Sequence, residues 1–285
     1  MHVDLHCHST ASDGECVPAE VARRAQQAGL TAIALTDHDT TDGVAAAAAE
    51  GEPLGVRVVP GCEFSVKAPW GELHLLGYFL PVGEARLEAF LRETRAARRR
   101  RGEQIVAKLQ QLGVPIALDD VDAQAKGGAV GRPHVARALV QCDASDDISD
   151  AFSRYLGRGR PAYVEKPLPR LAEVATLVHA VGGVAVAAHL GDHGTEGQLR
   201  QFQEQGLDGL EVRHPSHAPS VEQRLTRIAE RLGLGISGGS DWHGDTEVGG
   251  NHAPLGGMRI PLEWLDLLEQ RRNGGLTGLP KRTSA

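Results

Sequence analysis

Two short motifs place metal-binding side chains on one face of a predicted strand. His6 and His8 alternate with apolar residues, and Asp241 and His243 repeat this spacing near the other end of the chain. Residues i and i+2 of a strand point to the same side, so each motif directs two potential metal ligands toward one place. A single His-x-His pair is weak evidence, because the 13 histidines of this sequence could produce one by chance. The metal hypothesis therefore depends on ligands elsewhere in the chain.

Composition and charge limit the class of protein. The 285 residues are 41% apolar and carry a net charge of −7, which suits one large α/β domain or a core domain with an insertion. The acidic balance argues against bulk binding to nucleic acid or to a membrane surface. The sequence begins in a predicted strand and contains no long apolar run, so we expect no leader, no membrane span and a cytoplasmic location. The four cysteines lack Cys-x-x-Cys spacing, which predicts reduced thiols.

The order of predicted elements indicates an interrupted α/β fold. Strand and helix patterns alternate over residues 1–81 and again over 166–272, which predicts a barrel-like α/β domain. Residues 82–165 show apolar residues at helical spacing and no convincing strand, so we predict an inserted helical domain. Residues 273–285, rich in Gly and Pro, are predicted to form a flexible tail.

Polar residues fall at the predicted strand ends of the barrel segments. The candidate ligands are His6, His8, Asp13, His38, Glu63, His74, His189, Asp241 and His243. Zinc takes about four ligands and a hard cation about six, so this set suits two or three divalent ions that share a bridging carboxylate. A lone histidine is more often packed in a core. For the whole set that explanation is poor, because buried charge without a partner is costly.

These residues occur in ordered motifs that resemble the polymerase-and-histidinol-phosphatase (PHP) domain family. The motifs are His6-x-His8, Asp13, Thr36-Asp37-His38-Asp39, Pro60-Gly61-Cys62-Glu63, His74, His189 and Gly239-Ser240-Asp241-x-His243-Gly244. The resemblance covers about 1–80 and 165–260 and implies a distorted (β/α)7 TIM-like barrel with a trinuclear metal centre. Gly131-Arg132-Pro133-His134 and the segment 209–217 resemble one branch of the family. Its members are stand-alone phosphoesterases of nucleotides, including nucleoside 3′,5′-bisphosphates and the 5′ ends of short RNA.

The resemblance also implies a division of the ligands among three ions. The implied sets are His6, His8, Glu63 and Asp241; Glu63, His74 and His189; and Asp13, His38 and His243. Manganese, iron and zinc all suit such sets. This sequence has Leu190 where the family usually has proline after the histidine, so His193 is an alternative to His189. We favour His189, which ends the apolar strand.

The implied reaction is hydrolysis of a phosphate monoester by a metal-bridging hydroxide. His217, on a loop after a strand, is the candidate general acid. Arg132 and His134 begin a predicted helix, where a phosphate can bind, and are the candidate clamp for a second phosphate. Arg158 and Arg160 are candidates to join that clamp. For each of these residues, an exposed or helix-capping role explains the pattern about as well.

Other functions remain open at this point. One is a phosphatase of another small monoester such as histidinol phosphate, and another is a non-catalytic module that binds metal or phosphate. An amidohydrolase would use a similar barrel but usually needs a lysine bridge, where this sequence has Glu63. The expected partner is a small phosphorylated substrate, with short RNA as an extension. The sequence does not define the native metal, the base preference or the oligomeric state.

Overall fold

A computed structural model describes residues 1–246, 252–272 and 274. Before the insertion the chain forms β1 (His2–Cys7), α1 (Pro18–Gln27), β2 (Leu30–Leu35), α2 (Val44–Leu54), β3 (Arg57–Ala68) and β4 (Gly71–Tyr78). The insertion forms α3 (Ala85–Gln111), α4 (Leu118–Ala125), α5 (Arg132–Gln141), α6 (Ile148–Ala151) and a π-helical turn (Phe152–Leu156). The chain then forms α7 (Leu171–Ala180), β5 (Val184–Ala187), α8 (Glu196–Glu204), β6 (Gly209–Arg213), α9 (Pro219–Leu232), β7 (Gly235–Gly238), β8 (Ile260–Pro261) and α10 (Leu262–Arg272).

The described strands form one sheet that curls into a nearly closed barrel. Their order is β7-β6-β5-β4-β3-β2-β1-β8. The barrel closes between β1 and the segment after β7, where the Asp241 N–H donates to the His6 carbonyl and the His8 N–H donates to the Trp242 carbonyl, both at 2.9 Å. Gly239 is required at this closure, because an added Cβ would overlap the backbone and Cβ of His6. The predicted α/β barrel is confirmed.

The barrel departs from regular alternation at β3 and β4. These strands pair antiparallel over Gly61–Tyr78 to Ala68–Gly71, and β4 also pairs antiparallel with β5. A tight turn at Pro69–Trp70 joins β3 to β4, so no helix separates them. This hairpin matters for the site, because Glu63 lies on β3 and His74 lies on β4.

The insertion is helical and has its own apolar cluster. Within residues 82–165, all of which are described, every regular element is a helix. Ile105, Leu109, Val121, Val135 and Leu139 are among the buried members of this cluster, and burial of such a side chain stabilises by about 1.5–3 kcal/mol. The domain limits at 81/82 and 165/166 remain a prediction, and the predicted tail lies outside the described residues except for position 274.

None of the helices among the described residues combines the length and the apolar character needed to cross a membrane.

Candidate metal centre

One group of four buried side chains converges where β1, β3 and the segment after β7 meet. His6 Nε2 and His8 Nε2 lie 3.3 and 3.2 Å from Glu63 Oε2. Both nitrogens also lie 3.2 Å from Asp241 Oδ1. These ligand atoms all lie within 4.8 Å of one another, which is close enough to surround a single ion.

A second group gathers on the other oxygen of Glu63. Glu63 Oε1 lies 2.7 Å from His74 Nδ1 and 3.0 Å from His189 Nε2, and these two nitrogens are 3.1 Å apart. Glu63 therefore presents one oxygen to each of two groups, as a bridging carboxylate would. His193 instead stacks on Trp70 with ring centroids 4.9 Å apart, so it is His189 that the fold brings to Glu63.

A third group lies around Asp13, on the loop after β1. Asp13 Oδ1 lies 3.4 Å from His243 Nε2, and Asp13 Oδ2 lies 3.9 Å from His38 Nε2. His38 also approaches the first two groups, with its Nδ1 3.2 Å from Glu63 Oε2. The structure thus brings all nine predicted ligands into one connected cluster, and seven of them line a cavity of about 300 Å³.

Hydrogen bonds on the outer side of the rings turn nitrogen lone pairs toward the cluster. His6 Nδ1 lies 3.0 Å from Glu211 Oε1, and His74 Nε2 lies 3.3 Å from Glu72 Oε1. An ionised carboxylate can only accept, so these outer nitrogens carry the hydrogen. The inner nitrogens of both rings are then free to bind a metal, as in known carboxylate–histidine–metal arrangements.

Two further rings follow the same rule through different acceptors. His243 Nδ1 lies 2.8 Å from the carbonyl oxygen of Asp241, which can only accept. His8 Nδ1 lies 3.4 Å from Ser12 Oγ, whose own proton is donated to Asp37. Both rings therefore present Nε2 lone pairs to the cluster, which fits metal binding.

Several inward-facing atoms have no hydrogen-bond partner among the described residues. They are the buried atoms His6 Nε2, His8 Nε2, His38 Nδ1 and Asp13 Oδ1. Burial lowers the pKa of His38 to about 3 and keeps its ring neutral. Burial also opposes protonation of His8, but the nearby carboxylates of Asp241 and Glu63 outweigh this and raise its pKa to about 10. A bound cation would neutralise these carboxylates and take the place of that proton on Nε2. The carboxylates of the cluster thus require nearby positive charge, which divalent ions would supply.

Glu211 lies in the segment 209–217, and its sequence motif predicted no role for it. It is fully buried on β6, where one oxygen accepts from His6 and the other accepts the His189 N–H at 2.7 Å. One carboxylate thus orients two ligands that belong to different groups. The period-two pattern of β6 could have identified Glu211, because it predicts an inward-facing acid next to the ligands.

His214 and His252 flank Asp241 and were also given no role. His214 Nε2 and His252 Nδ1 each lie 3.4 Å from Asp241 Oδ2. His214 Nδ1 accepts the Ser216 N–H at 3.1 Å, so its hydrogen is on Nε2 and faces Asp241. His214 is therefore a hydrogen-bond donor in the cavity wall, and its tautomer is the opposite of that of the metal-facing rings.

The structure gives His217 a different place from the predicted general acid. Its Nδ1 lies 3.0 Å from the Val212 carbonyl, and its Nε2 accepts the Gly191 N–H at 3.0 Å. Both ring nitrogens are thus engaged by the backbone, and His217 is not among the residues that line the metal cavity. This geometry favours a role in holding the loop after β5, which carries His189.

The predicted clamp residues also occupy different environments from one another. His134 is buried, its Nδ1 accepts the Gly131 N–H, and burial lowers its pKa to about 4, so it holds the start of α5 rather than facing a ligand. Arg158 and Arg160 are exposed, and no contact described for them reaches the cluster. From α5, Pro133 and Arg137 line the metal cavity, because residues four apart share a helix face.

Arg132 belongs to a group of three arginines beside the cavity. Arg98, Arg101 and Arg132 line one narrow cleft of about 10 Å³, which encloses no more than a single water, so an anion would bind at its mouth. Arg98 is paired with Asp39, whereas burial and the charge of Arg132 lower the pKa of Arg101 to about 10. This cleft, called here the arginine cleft, therefore holds more positive charge than its described carboxylates balance, which suits an anion.

Known proteins with similar sequences and structures identify the family of this chain. Residues 4–115 match the model of the PHP domain. The chain is 35% identical over 256 residues to a 5′-3′ exoribonuclease of Haemophilus influenzae, spanning 87% of this chain and 93% of the relative. It is 36% identical over 256 residues to a 3′,5′-nucleoside bisphosphate phosphatase of Chromobacterium violaceum, spanning 87% and 89%.

A solved structure from Bifidobacterium adolescentis, assigned as a metal-dependent phosphoesterase, superimposes with a TM-score of 0.87 at 34% identity and covers 98% of this chain and 97% of its own. The similarity thus extends over nearly the whole of both chains, and the fold, the ligand cluster and the motifs all point the same way. This chain belongs to the PHP domain family.

Proposed function

We propose that this protein is a metal-dependent phosphoesterase that hydrolyses nucleoside 3′,5′-bisphosphates to the 5′-monophosphate and phosphate, and that it also acts on the 5′ end of short RNA. The observation that carries this proposal is the nine-residue ligand cluster next to the arginine cleft. Such a pair of sites suits a substrate with two phosphates. Both activities appear among the names of relatives at about 35% identity.

The cluster is proposed to hold two or three divalent ions, with manganese, iron and zinc as candidates. The proposed sets are His6, His8, Glu63 and Asp241; Glu63, His74 and His189; and Asp13, His38 and His243. When bound, such ions stabilise phosphoryl oxygens and provide an activated water near neutral pH. The inward-facing lone pairs of the histidine rings are the feature of this chain that supports the proposal.

The protein's own residues would orient the phosphate to be cleaved. His214 directs its Nε2 hydrogen into the cavity wall next to Asp241, and Arg137 lines the cavity from α5. An imidazole N–H and a guanidinium can both donate to phosphoryl oxygens as charge develops there. These two residues are the proposed contacts to the phosphate that is cleaved.

The second phosphate is proposed to bind at the mouth of the arginine cleft, because the cleft itself is too small to enclose a phosphate. Pro133 lines the metal cavity while its neighbour Arg132 lines the cleft, so the two sites adjoin. Arg98 comes from α3 and Arg132 from α5. We therefore regard residues 82–165 as an inserted domain whose function is to supply this clamp.

The test is a substrate panel combined with metal analysis of the purified protein. The panel contains a nucleoside 3′,5′-bisphosphate, a 3′-monophosphate, histidinol phosphate and a short 5′-phosphorylated RNA. Arg132→Gln is expected to raise KM for the bisphosphate about tenfold or more, which corresponds to a lost charge-assisted contact, with little effect on the 3′-monophosphate. Arg158→Gln, which changes an exposed arginine of the same insertion, is the matched control.

Two results would reject the proposal. Faster hydrolysis of histidinol phosphate than of the bisphosphate would assign a different monoester as substrate. A metal-loaded protein without turnover on any phosphoester would instead indicate a binding module.

A further inference from the structure

A second cavity of about 210 Å³ adjoins the metal cavity across the loop after β1. Asp13 lines the metal cavity, whereas its neighbours Ser12 and Gly14 line the second one. Arg137 lines both. The two cavities therefore lie on either side of the Asp13 segment and meet at Arg137.

The lining of the second cavity is polar and carries more positive than negative charge. Arg137 and Lys126 are its cations, and Glu15 is its one carboxylate among the described lining residues. Lys126 is exposed at the end of α4, where it takes a left-handed conformation with φ 48°. Thr10 and Gln124 add hydrogen-bonding groups. This chemistry suits a phosphate together with sugar hydroxyls.

The cavity is built from fixed parts of both the barrel and the insertion. The Ala129 N–H donates to the Ala11 carbonyl at 3.1 Å. Gly128 packs so closely on this loop that an added Cβ would lie 2.7 Å from the Thr10 carbonyl oxygen. Arg137 Nη2 donates to the Asp13 carbonyl at 3.0 Å. The wall that separates the cavities is thus tied directly to the backbone of a proposed metal ligand.

From this arrangement we infer that the second cavity binds the second nucleotide of a 5′-phosphorylated RNA. The inference rests on the proposed function, because it assumes that the scissile phosphate lies in the metal cavity and the 5′-phosphate at the mouth of the arginine cleft. Arg137 lies where the RNA chain would pass from the metal cavity into the second cavity. Lys126 and Glu15 face the ribose of the second nucleotide and the phosphate that follows it.

The chemistry of the bond explains why RNA needs this cavity and a mononucleotide does not. In both substrates the oxygen of water forms a bond to phosphorus, the bond between phosphorus and O3′ breaks, and O3′ takes up a proton. With the bisphosphate, the phosphate leaves as inorganic phosphate. With RNA, it stays on the 5′ oxygen of the next nucleotide, which must occupy space beyond the metal cavity. The same centre therefore serves both reactions, and the second cavity determines whether RNA fits.

The test compares, on the metal-loaded protein, a nucleoside 3′,5′-bisphosphate with a 5′-phosphorylated dinucleotide whose 3′ end carries a methyl phosphate. This group supplies the phosphate that follows the second nucleotide. Lys126→Glu is expected to lower kcat/KM for the dinucleotide about tenfold, as the loss of one phosphate contact would, and to change that for the bisphosphate less than about twofold. Thr10→Trp, which fills the cavity, is expected to act in the same direction. Lys108→Glu, an exposed lysine elsewhere on the insertion, is the matched control.

Salt dependence gives a second readout that does not depend on how well a variant folds. The wild-type KM for the dinucleotide should rise more steeply with salt than that for the bisphosphate, and Lys126→Glu should remove about one unit of the logarithmic slope.

Each outcome is decisive. An unchanged ratio between the two substrates in both Lys126→Glu and Thr10→Trp would overturn the inference, as would a wild-type protein that cleaves the bisphosphate but not the dinucleotide. A wild-type protein that cleaves neither would instead contradict the proposed function.

Discussion

The barrel rim and the helical insertion contribute opposite chemistry by different structural means. The rim supplies carboxylates and imidazoles from strand ends, and its ligand atoms approach one another to 2.7–3.9 Å. The insertion supplies guanidinium groups from α3 and α5. Strand ends have directions fixed by barrel geometry, whereas the direction of a helical side chain depends on how the helix packs. The rim can therefore be predicted from sequence and the insertion much less so.

The arginine-rich stretch of α3 illustrates the second half of this comparison. Arg95, Arg98 and Arg101 are spaced by three and point inward, where they contact the Asp39 carbonyl, the Asp39 carboxylate and the Val164 carbonyl. Arg99 and Arg100 point outward and pair with acidic residues. In sequence such a run is more often a solvated helix face than a contact for RNA, but in the fold its inward-facing members fasten the insertion to the loop that carries His38.

The largest expected effect comes from the bridge between the first two ligand groups. Glu63→Gln should lower kcat/KM for the bisphosphate by about a thousandfold or more, on the order of 4 kcal/mol, because one carboxylate serves two ion sites. Metal content, measured by mass spectrometry, should fall as well. Glu222→Gln, which removes a partly exposed partner of Arg213, should change neither. Full metal content with normal turnover in Glu63→Gln would remove the bridge from the mechanism.

A smaller loss of metal affinity is expected for Glu211, which contacts the proposed ligands but is not one of them. Glu211→Gln should weaken metal binding about 10- to 100-fold, as is typical when a carboxylate that orients a ligating histidine is replaced. The reason here is that Glu211 holds both His6 and the His189 backbone. Titration of the chelated protein with Mn²⁺ by calorimetry measures this effect directly. An affinity equal to that of the Glu222→Gln control would show that Glu211 does not orient the ligands.

The contrast between the barrel rim and the helical insertion also explains which residues could be predicted from sequence. The strand pattern placed His6 and His8 on one rim, because alternation leaves only two directions. Asp241 and His243 lie beyond the end of β7, and Asp241 has a φ of 51°, so the strand rule that suggested their shared direction does not apply to them. The antiparallel β3–β4 hairpin, which replaces the regular alternation expected over residues 1–81, brings His74 to Glu63.

Side chains on loops and helix starts behaved differently. His217 looked like a catalytic residue on a loop, but its ring binds two backbone groups that no sequence pattern identifies. Arg137 could not be chosen over Arg132 or His134, because the rotation of α5 about its axis is set by tertiary packing. Helix α4 was also missed, because its eight residues are too few to give a clear helical pattern.

A moderate effect is expected for the loop after β5, which lies between the two regions of the comparison. Arg224 donates to the carbonyls of Gly191 and Gly194, and His217 accepts the Gly191 N–H. This loop begins at His189, whose φ of 26° requires restraint by its surroundings. His217→Asn and Arg224→Lys should each weaken Mn²⁺ binding roughly threefold to tenfold, while kcat at saturating Mn²⁺ stays near that of the wild type.

Measuring Mn²⁺ affinity and kcat at saturating Mn²⁺ separately shows whether His217 positions a ligand or transfers a proton. A general acid at His217 would lower kcat even at saturating Mn²⁺, whereas a positioning residue is rescued by excess metal. Arg227→Lys provides the matched control, because Arg227 lies on the exposed face of α9, the helix that also carries Arg224. Its Mn²⁺ affinity and its melting temperature should both equal those of the wild type.

The smallest effect is expected for a histidine–carboxylate pair away from the ligand cluster. His179 Nε2 lies 2.7 Å from Asp208 Oδ2, and this hydrogen bond raises the pKa of His179. A raised pKa in the folded state stabilises the protein fully below the unfolded-state pKa of about 6.5, and this stabilisation is lost as the pH rises through the folded-state value. Because the side chain of His179 is 41% exposed, His179→Gln should cost less than about 1 kcal/mol. The difference in melting temperature between wild type and variant should therefore be small at acidic pH and shrink further as the pH rises. A difference that instead grew with pH would show that the neutral ring, rather than its charge, stabilises this end of the barrel.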